Sequence, residues 1–377
     1  MAKDKFSVVV IENNEMGIKT YNYDLVKSLS EKYATTILTE IDGVFEKEDI
    51  QKRAEFINVG KSVMNPVTAL RYMYKLYKAL KKVKPDVCLT FTIRPNIYGN
   101  IVTRILKIPT ITSITGIGPL FESKSLSYKI ARQLYKWVLM KTELVFFPNA
   151  DDLNLFVDKK YVTPKQAQIV AGSGVNIDHF APIASKEKTD GRFVFLYIGR
   201  LLKDKGVIEY VEAAAIVKSR VSAVECHVIG PLWNSNKKSL AISESDLNLW
   251  IKNNWINYFG TKNDVRPFIA DADCVVMPSY REGMNNVLLE AASMGKPLIT
   301  TNVTGCKEIV DDGKNGLLCK VRDSKDLADK MIQMLNLPVE QRAAMGKQGR
   351  EKMINEFDKK IVVNAYLESI EKIISSK

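Results

Sequence analysis

Two glutamates, Glu282 and Glu290, stand eight residues apart in SYREGMNNVLLEAASMGKP (279–297), directly after an apolar run, Cys274–Pro278, that reads as a strand. Glu282 ends the loop before Gly283, and Glu290 lies about one turn inside the helix that follows. Backbone N–H groups of Gly283, Met284, Asn285 and Asn286 are read as the free donors of that helix's first turn. Such donors can hold phosphate or sugar oxygens, with the two carboxylates accepting from hydroxyl groups on either side. The same pair could instead serve as general acid and base, or one carboxylate could simply answer the helix dipole. Glu290 sits in an apolar stretch, where a carboxylate needs a partner.

A second cluster follows the apolar run Phe193–Ile198. Gly199 permits close backbone approach, and Arg200, Lys203, Asp204, Lys205 and Gly206 lead into a helix. Arginine and lysine beside a helix N-terminus make a diphosphate site; the plainer alternative is a solvated loop with two ordinary basic residues.

These residues need a frame. Short apolar runs alternate with helical spacing along the whole chain, the pattern of a parallel sheet with helices on both faces. In the first half, strands are predicted at Phe6–Ile11, Thr35–Thr39, Val87–Phe91, Thr110–Ile114 and Leu144–Pro148, with helices around 18–32, 66–82, 97–106 and 125–141. The rhythm restarts after Gly191. Strands follow at Phe193–Ile198, Glu225–Ile229, Ile256–Phe259, Cys274–Pro278 and Pro297–Thr301, with helices at 206–219, 240–253, 264–270, 286–294, 305–310 and several beyond 324. Two βαβ series joined by GSGVNIDHFAP (172–182) imply two Rossmann-like domains with a cleft between them. In such sheets ligands bind beyond the carboxyl ends of the strands, where both clusters fall.

The chain's 377 residues are 46% apolar and 26% charged, enough for two or three domains with their own cores and too apolar for disorder. Five cysteines lack CxxC spacing, which points to a reducing compartment. The two histidines, His179 and His227, are too few for a His-built catalytic metal site. His179 reads as a hinge residue packing near Phe180, His227 as core, and the methionines, Met140 and Met277 among them, as core filler. The opening MAKDKFSVVVIEN enters a strand without a signal-peptide pattern, and no apolar run approaches a membrane span. The expectation is a cytoplasmic protein, soluble or peripheral.

The net charge of +12 is concentrated. Residues 51–150 carry 17 Lys/Arg against 4 Asp/Glu, whereas residues 191–377 carry 27 against 23. Two segments dominate the surplus, 71–84 and 124–141, both with basic residues and Tyr or Trp between helically spaced apolar positions. Such helices suit an anionic membrane surface; alternatively they pack on a core and solvate a basic face. No nucleic-acid-binding signature accompanies the charge, so no nucleic acid partner is expected.

The run FGTKNDVRPFIADADCVVMPSYREGMNNVLLEAASMGKPLITTNVTGCKEIVDDGKNGLL (259–318) resembles the C-terminal signature of retaining glycosyltransferases of family 4, which have the GT-B fold. The E-x7-E spacing, the preceding PSY, the following GKP and the GxxEIVxxGxNG tail are in register, and GRLLKDKG and SGVNIDHFAP match upstream. RPNIYGNIVTRILKIPTITSITGIGPLF (94–121) is similar to the branch that assembles bacterial capsules, O-antigens and other glycans.

The resemblance implies an α/β fold with an acceptor-binding domain at 1–178, a nucleotide-sugar-binding domain at 187–357, and a C-terminal helix, 358–377, crossing back onto the first domain. It implies that Arg200 and Lys205 clamp the donor diphosphate and stabilise the leaving nucleotide, with Gly199 beside them. Glu290 would take the ribose hydroxyls, Glu282 would orient the donor sugar, and the amides of Gly283, Met284, Asn285 and Asn286 would hold sugar and phosphate oxygens. Gly260, Thr261 and Lys262 would touch the base, and Gly17 would line the cleft. Met284-Asn285 departs from the commoner form of the loop, so the donor sugar is open. Many relatives carry a histidine where this chain has Thr115. Thr115, Gly116 and Gly118 would then shape the acceptor or sugar pocket, and transfer would proceed by front-side displacement without a histidine base, a metal or a cofactor.

The function implied is a retaining transferase that moves a sugar, best an N-acetylhexosamine from UDP-GalNAc or UDP-GlcNAc, onto an undecaprenyl-diphosphate-linked saccharide at the inner face of a bacterial membrane. The alternatives are a transferase with a soluble acceptor, a nucleotide-sugar epimerase, or a non-catalytic nucleotide-sugar-binding subunit.

Overall fold

A computed structural model describes residues 5–45, 50–61, 65–118, 121, 125–184, 191–232 and 240–376. The chain divides into two compact units, one of Met1–Ser173 with Lys360–Lys377, the other Gly174–Lys359.

In the first unit the strands are β1 (Ser7–Asn14), β2 (Ala34–Glu40), β3 (Glu55–Asn58), β4 (Val87–Phe91), β5 (Thr110–Ser113), β6 (Leu144–Phe147) and β7 (Ala167–Ile169). They form one sheet in the order β3-β2-β1-β4-β5-β6-β7, every pair parallel. Runs such as SVVVIE are buried along their length because helices cover both faces. Those helices are α1 (Tyr23–Lys32), α2 (Pro66–Val83), α3 (Ile93–Ile105), α4 (Leu126–Leu139) and α5 (Ala150–Asp158), with a π-helical turn at Ile18–Asn22 leading into α1.

The second unit has β8 (Phe193–Ile198), β9 (Val224–Ile229), β10 (Asn257–Tyr258), β11 (Cys274–Met277), β12 (Leu298–Thr301) and β13 (Gly316–Cys319), in the order β10-β9-β8-β11-β12-β13. Its helices are α6 (Val207–Arg220), α7 (Glu244–Lys252), α8 (Arg266–Asp271), α9 (Asn286–Ser293), α10 (Ser324–Asn336) and α11 (Val339–Lys352). The last helix, α12 (Lys359–Ser375), packs on the first sheet: Tyr366 stacks edge-on against Phe146 and hydrogen-bonds Ser113.

Several expectations are corrected. Residues 174–178, placed in the first domain, belong to the second unit, where Val175 bridges Asp358. The helix expected at 305–310 is a series of turns, since Gly305 takes φ +82, outside the helical region. Strands β3, β7 and β13 and helix α5 escaped the sequence reading. Met140 is exposed rather than core, whereas Met277 is buried. His179 does stack edge-on against Phe180, but His227 is half-buried and not core, its Nε2 2.7 Å from Glu225.

The two basic segments are helices that each pack one apolar face on a core and leave further apolar side chains exposed. Helix α2 buries Ala69, Tyr72, Leu76, Ala79 and Leu80 and leaves Val67, Leu70 and Tyr74 exposed. Helix α4 buries Tyr135, Val138 and Leu139 while Ile130 (63% exposed), Trp137 (47%) and its C-cap Met140 face solvent. The Arg104 guanidinium lies 4.0 Å over the Trp137 ring. Lys124 lies outside the described residues. Among the described residues no helix is long and apolar enough to cross a membrane.

Candidate active site

Strand β8 sits where the second sheet's order reverses, with β9 on one side and β11 on the other. The loops leaving β8 and β11 therefore meet at the carboxyl edge of the sheet, the usual ligand position in such folds. The β8 loop bears Gly199, Arg200 and Lys205; the β11 loop bears Glu282 and leads into α9.

The two loops are joined by one ion pair. Lys205 Nζ donates to both carboxylate oxygens of Glu282, at 2.8 and 2.7 Å, with both side chains less than a fifth exposed. The sequence reading gave these residues separate tasks, and only folding reveals that they share a position. A second tie joins the loops through backbone, Tyr280 N–H donating to the Asp204 carbonyl at 3.0 Å. Glycine is required here: Gly206 is left-handed (φ +71), and a Cβ on it would lie 2.0 Å from the Pro278 carbonyl oxygen.

The glutamate is held from behind by a segment that the sequence reading assigned no role. Glu282 N–H donates to the Thr304 carbonyl (3.0 Å), and Asn285 N–H to the Gly305 carbonyl (2.9 Å). The Asn285 amide is thus not a free donor as expected. It is already satisfied, and the Asn285 side chain instead caps α9 by accepting from Leu288 N–H at 3.1 Å. Tyr197, buried at the end of β8, has its hydroxyl 3.3 Å from the carbonyls of both Arg200 and Lys205, spanning the loop that carries the two cations.

Three glycines line up beside this pair at the ends of β8, β9 and β10. Gly199 N–H donates to the Ile229 carbonyl and Gly230 N–H to the Gly260 carbonyl, each at 2.9 Å. A Cβ on Gly230 would fall 1.9 Å from the Gly199 carbonyl oxygen. Gly230 was missed from sequence, although a glycine following a strand is a readable signal. Thr261 and Lys262 are exposed, with Lys262 Nζ 5.7 Å over the Phe268 ring. Gly17, Thr115, Gly116 and Gly118 belong to the other unit, after β1 and β5; Thr115 is exposed, and Gly116 and Gly118 have φ of 136° and 44°. Among the described residues no group of three His, Cys, Asp or Glu side chains is arranged to hold a metal ion.

Glu290, the fifth residue of α9, is a carboxyl altered by its surroundings. Burial lifts its carboxyl from the usual 4.5 to about 7, partly opposed by the Lys359 charge. Because the folded-state value is raised, the neutral acid favours folding. That contribution is whole below about pH 4.5 and is lost as pH rises through about 7. Glu290→Gln should therefore gain stability over wild type between pH 5 and pH 8, by roughly 2 kcal/mol; parallel melting curves across that range would disprove it.

Comparison with known proteins agrees with the two-unit fold. Residues 181–352 match the family model described as Glycosyl transferases group 1, and residues 11–149 match Glycosyl transferase 4-like. The chain is 24% identical, over 96% of its length and 97% of the relative's, to the N,N'-diacetylbacillosaminyl-diphospho-undecaprenol alpha-1,3-N-acetylgalactosaminyltransferase of Campylobacter jejuni. It is 28% identical, over 82% of its length and 81% of the other, to the UDP-Gal:alpha-D-GlcNAc-diphosphoundecaprenol alpha-1,3-galactosyltransferase of Escherichia coli. Among solved structures, Anabaena HepE in complex with UDP and glucose superposes with a TM-score of 0.80 at 16% identity, covering 97% of this chain and all of that one.

Two Rossmann-like units with parallel sheets, each matched by a glycosyltransferase model, define a GT-B glycosyltransferase. The second unit is similar to the group 1 and the first to the 4-like glycosyltransferases, and the chain is a hexosyltransferase.

Proposed function

We propose that the protein is a retaining, metal-independent transferase that moves an N-acetylhexosamine, GalNAc or GlcNAc, from UDP onto a saccharide linked to undecaprenyl diphosphate. The observation that carries the donor half is the two-pronged Lys205–Glu282 pair at the carboxyl edge of the second sheet. A cation and a sugar-orienting carboxylate locked together can address a diphosphate and the adjoining sugar at once. The acceptor half is supported by the two relatives named above, both of which act on undecaprenol-diphosphate-linked sugars by name.

In this reading Arg200 and Lys205 neutralise charge as the C1–O bond to the diphosphate breaks. The acceptor oxygen bonds to C1 on the same face, and its proton passes to the departing phosphate oxygen. Glu282 accepts hydrogen bonds from the donor sugar's hydroxyls, Glu290 from the ribose, and the segment from Gly283 to Asn286 lines the sugar. Gly260, Thr261 and Lys262 border the base. In the first unit, the acceptor-binding one, Gly17 and the loop of Thr115, Gly116 and Gly118 shape the acceptor pocket. No histidine base takes part, and no cofactor is needed.

Release of UDP is the test. With farnesyl-diphosphate-linked GlcNAc as acceptor, UDP-GalNAc or UDP-GlcNAc should release UDP faster than UDP-Gal or UDP-Glc. Equal or absent release across the panel overturns the reading.

The exposed Ile130, Trp137 and Met140 of α4 and Val67, Leu70 and Tyr74 of α2, set among lysines and arginines, support a peripheral position on an anionic membrane at its inner face. Each basic residue near the headgroups contributes about 1 kcal/mol. Vesicles with a third phosphatidylglycerol should sediment the protein at low salt and release it near 0.5 M salt, where the Debye length shortens to roughly 4 Å. Sedimentation insensitive to both salt and lipid charge contradicts the placement.

A further inference from the structure

A buried carboxylate in the first unit has no place in the scheme above. Glu12 lies near the carboxyl end of β1, flanked by β2 and β4 where the first sheet's order reverses, the counterpart of the ligand-receiving edge in the second unit. It is 2% exposed. One of its oxygens, Oε1, accepts from Asn13 N–H at 2.8 Å, and the other, Oε2, accepts from Asn22 Nδ2 at 3.2 Å. The Thr92 hydroxyl accepts from Asn13 Nδ2 at 2.8 Å and lies 3.3 Å from Glu12 Oε1 and 2.6 Å from the Phe91 carbonyl oxygen, to one of which it donates. One carboxylate thereby ties together the end of β1, the π-helical turn and the end of β4. Gly17 closes on it: a Cβ there would meet the Glu12 Cγ and Cδ at 3.3 Å.

Thr92 is the second observation. Its φ of 64° and ψ of 161° fall in a region that is essentially glycine's alone. A threonine held there keeps a hydroxyl where glycine would relax the backbone, and strain of this kind collects at binding sites. Asn13, Asn14 and Thr92 are half-buried, so part of each reaches the surface. Burial also lifts the Glu12 carboxyl to about 7 against its hydrogen bonds; burial likewise raises Tyr72 of α2 and Tyr366 of α12, with the Glu12 charge adding to both.

We propose that Glu12 is a positioning residue for the acceptor, locking Asn13 and Thr92 into an amide-and-hydroxyl surface that receives the hydroxyl groups of the acceptor's terminal sugar. This rests on the reading that the first unit holds the acceptor. Amides, a hydroxyl and a carboxylate suit the hydroxyl groups of a sugar ring.

The test uses the full chain, with UDP-GalNAc and farnesyl-diphosphate-linked GlcNAc as probes. Glu12→Gln turns an acceptor into an N–H donor facing Asn22 or Asn13, and should raise the acceptor KM about tenfold while the donor KM moves less than twofold. Thr92→Gly should melt no lower than wild type, because the strain is relieved, and still raise the acceptor KM severalfold. If Glu12→Gln does not fold, Thr92→Gly decides alone. An unchanged acceptor KM in the folded variants, or donor and acceptor KM rising together, overturns the proposal. Wild-type protein that hydrolyses the donor at the same rate with and without acceptor overturns the acceptor reading itself, and the role of Glu12 with it.

Discussion

Lys205→Ala should lower kcat by about 10²–10³, equivalent to about 2.7–4 kcal/mol of transition-state stabilisation. The size follows from position. Lys205 is held by Glu282 at 2.7–2.8 Å and stands in a loop whose ends Tyr197 spans, so its charge is fixed before the leaving diphosphate develops its own. A preorganised cation in a half-buried site needs little rearrangement during the reaction. Removing it also leaves Glu282 without its partner, and the two effects can be separated. Glu282→Gln keeps a hydrogen-bonding group of the same shape, so it should affect donor KM more than Lys205→Ala does. Because the side chains touch, the double variant should lose less than the two single losses combined. Single-turnover kinetics on all three proteins, with melting curves to show that they are folded, would measure this. Additive losses would mean that the pair does not act as a unit.

Gly305→Ala is expected to cost about 3–5 kcal/mol of stability. Gly305 has φ +82, which alone costs an alanine about 1–2 kcal/mol. A Cβ would also sit 2.4 Å from the Glu282 carbonyl oxygen and 2.6 Å from its carbon. Backbone on both sides must part, breaking the bonds from Glu282 N–H to Thr304 and from Asn285 N–H to Gly305. In a unit of this size the melting temperature should fall by about 10 °C, with activity lost further because Glu282 moves from Lys205. Gly313 is the matched control. It has φ +76 and nothing within 4 Å of a Cβ, so Gly313→Ala should cost only the backbone share. Equal costs at the two positions would show that the close approach at Gly305 is not what holds Glu282.

Much of this was legible because the chemistry lies in short stretches of sequence. The long apolar strands β1, β4, β8 and β11, buried on both faces, stand out as unbroken runs, and Arg200, Lys205, Glu282 and Glu290 lie directly after two of them. Strand β3, whose residues are half-buried or exposed, and the three-residue β7 carry no such run. Helix α5 lies between two of the predicted elements, and its ADDLNLFVD was passed over although Asn149 caps it visibly. The Lys205–Glu282 pair joins residues 77 positions apart, a distance across which spacing carries no signal. The turns at 305–310 read as a helix because Cys306, Ile309 and Val310 are apolar at helical intervals. Their burial is real, but Gly305 bends the chain away from the helical region. Glu12 directly follows the predicted strand Phe6–Ile11, where a carboxylate looks like ordinary solvation; only its bonds from Asn13 and Asn22 and the conformation of Thr92 set it apart.

In the proposed reaction Arg200 and Lys205 drive same-face transfer in place of a metal and a histidine base. The most direct measurement is the anomeric proton coupling, by NMR, of product formed from an α-linked UDP-sugar in the presence of EDTA. The account predicts the small coupling of an α-linkage, with product forming at the rate seen without chelator. A large coupling, marking a β-linkage, or loss of product in EDTA would contradict it.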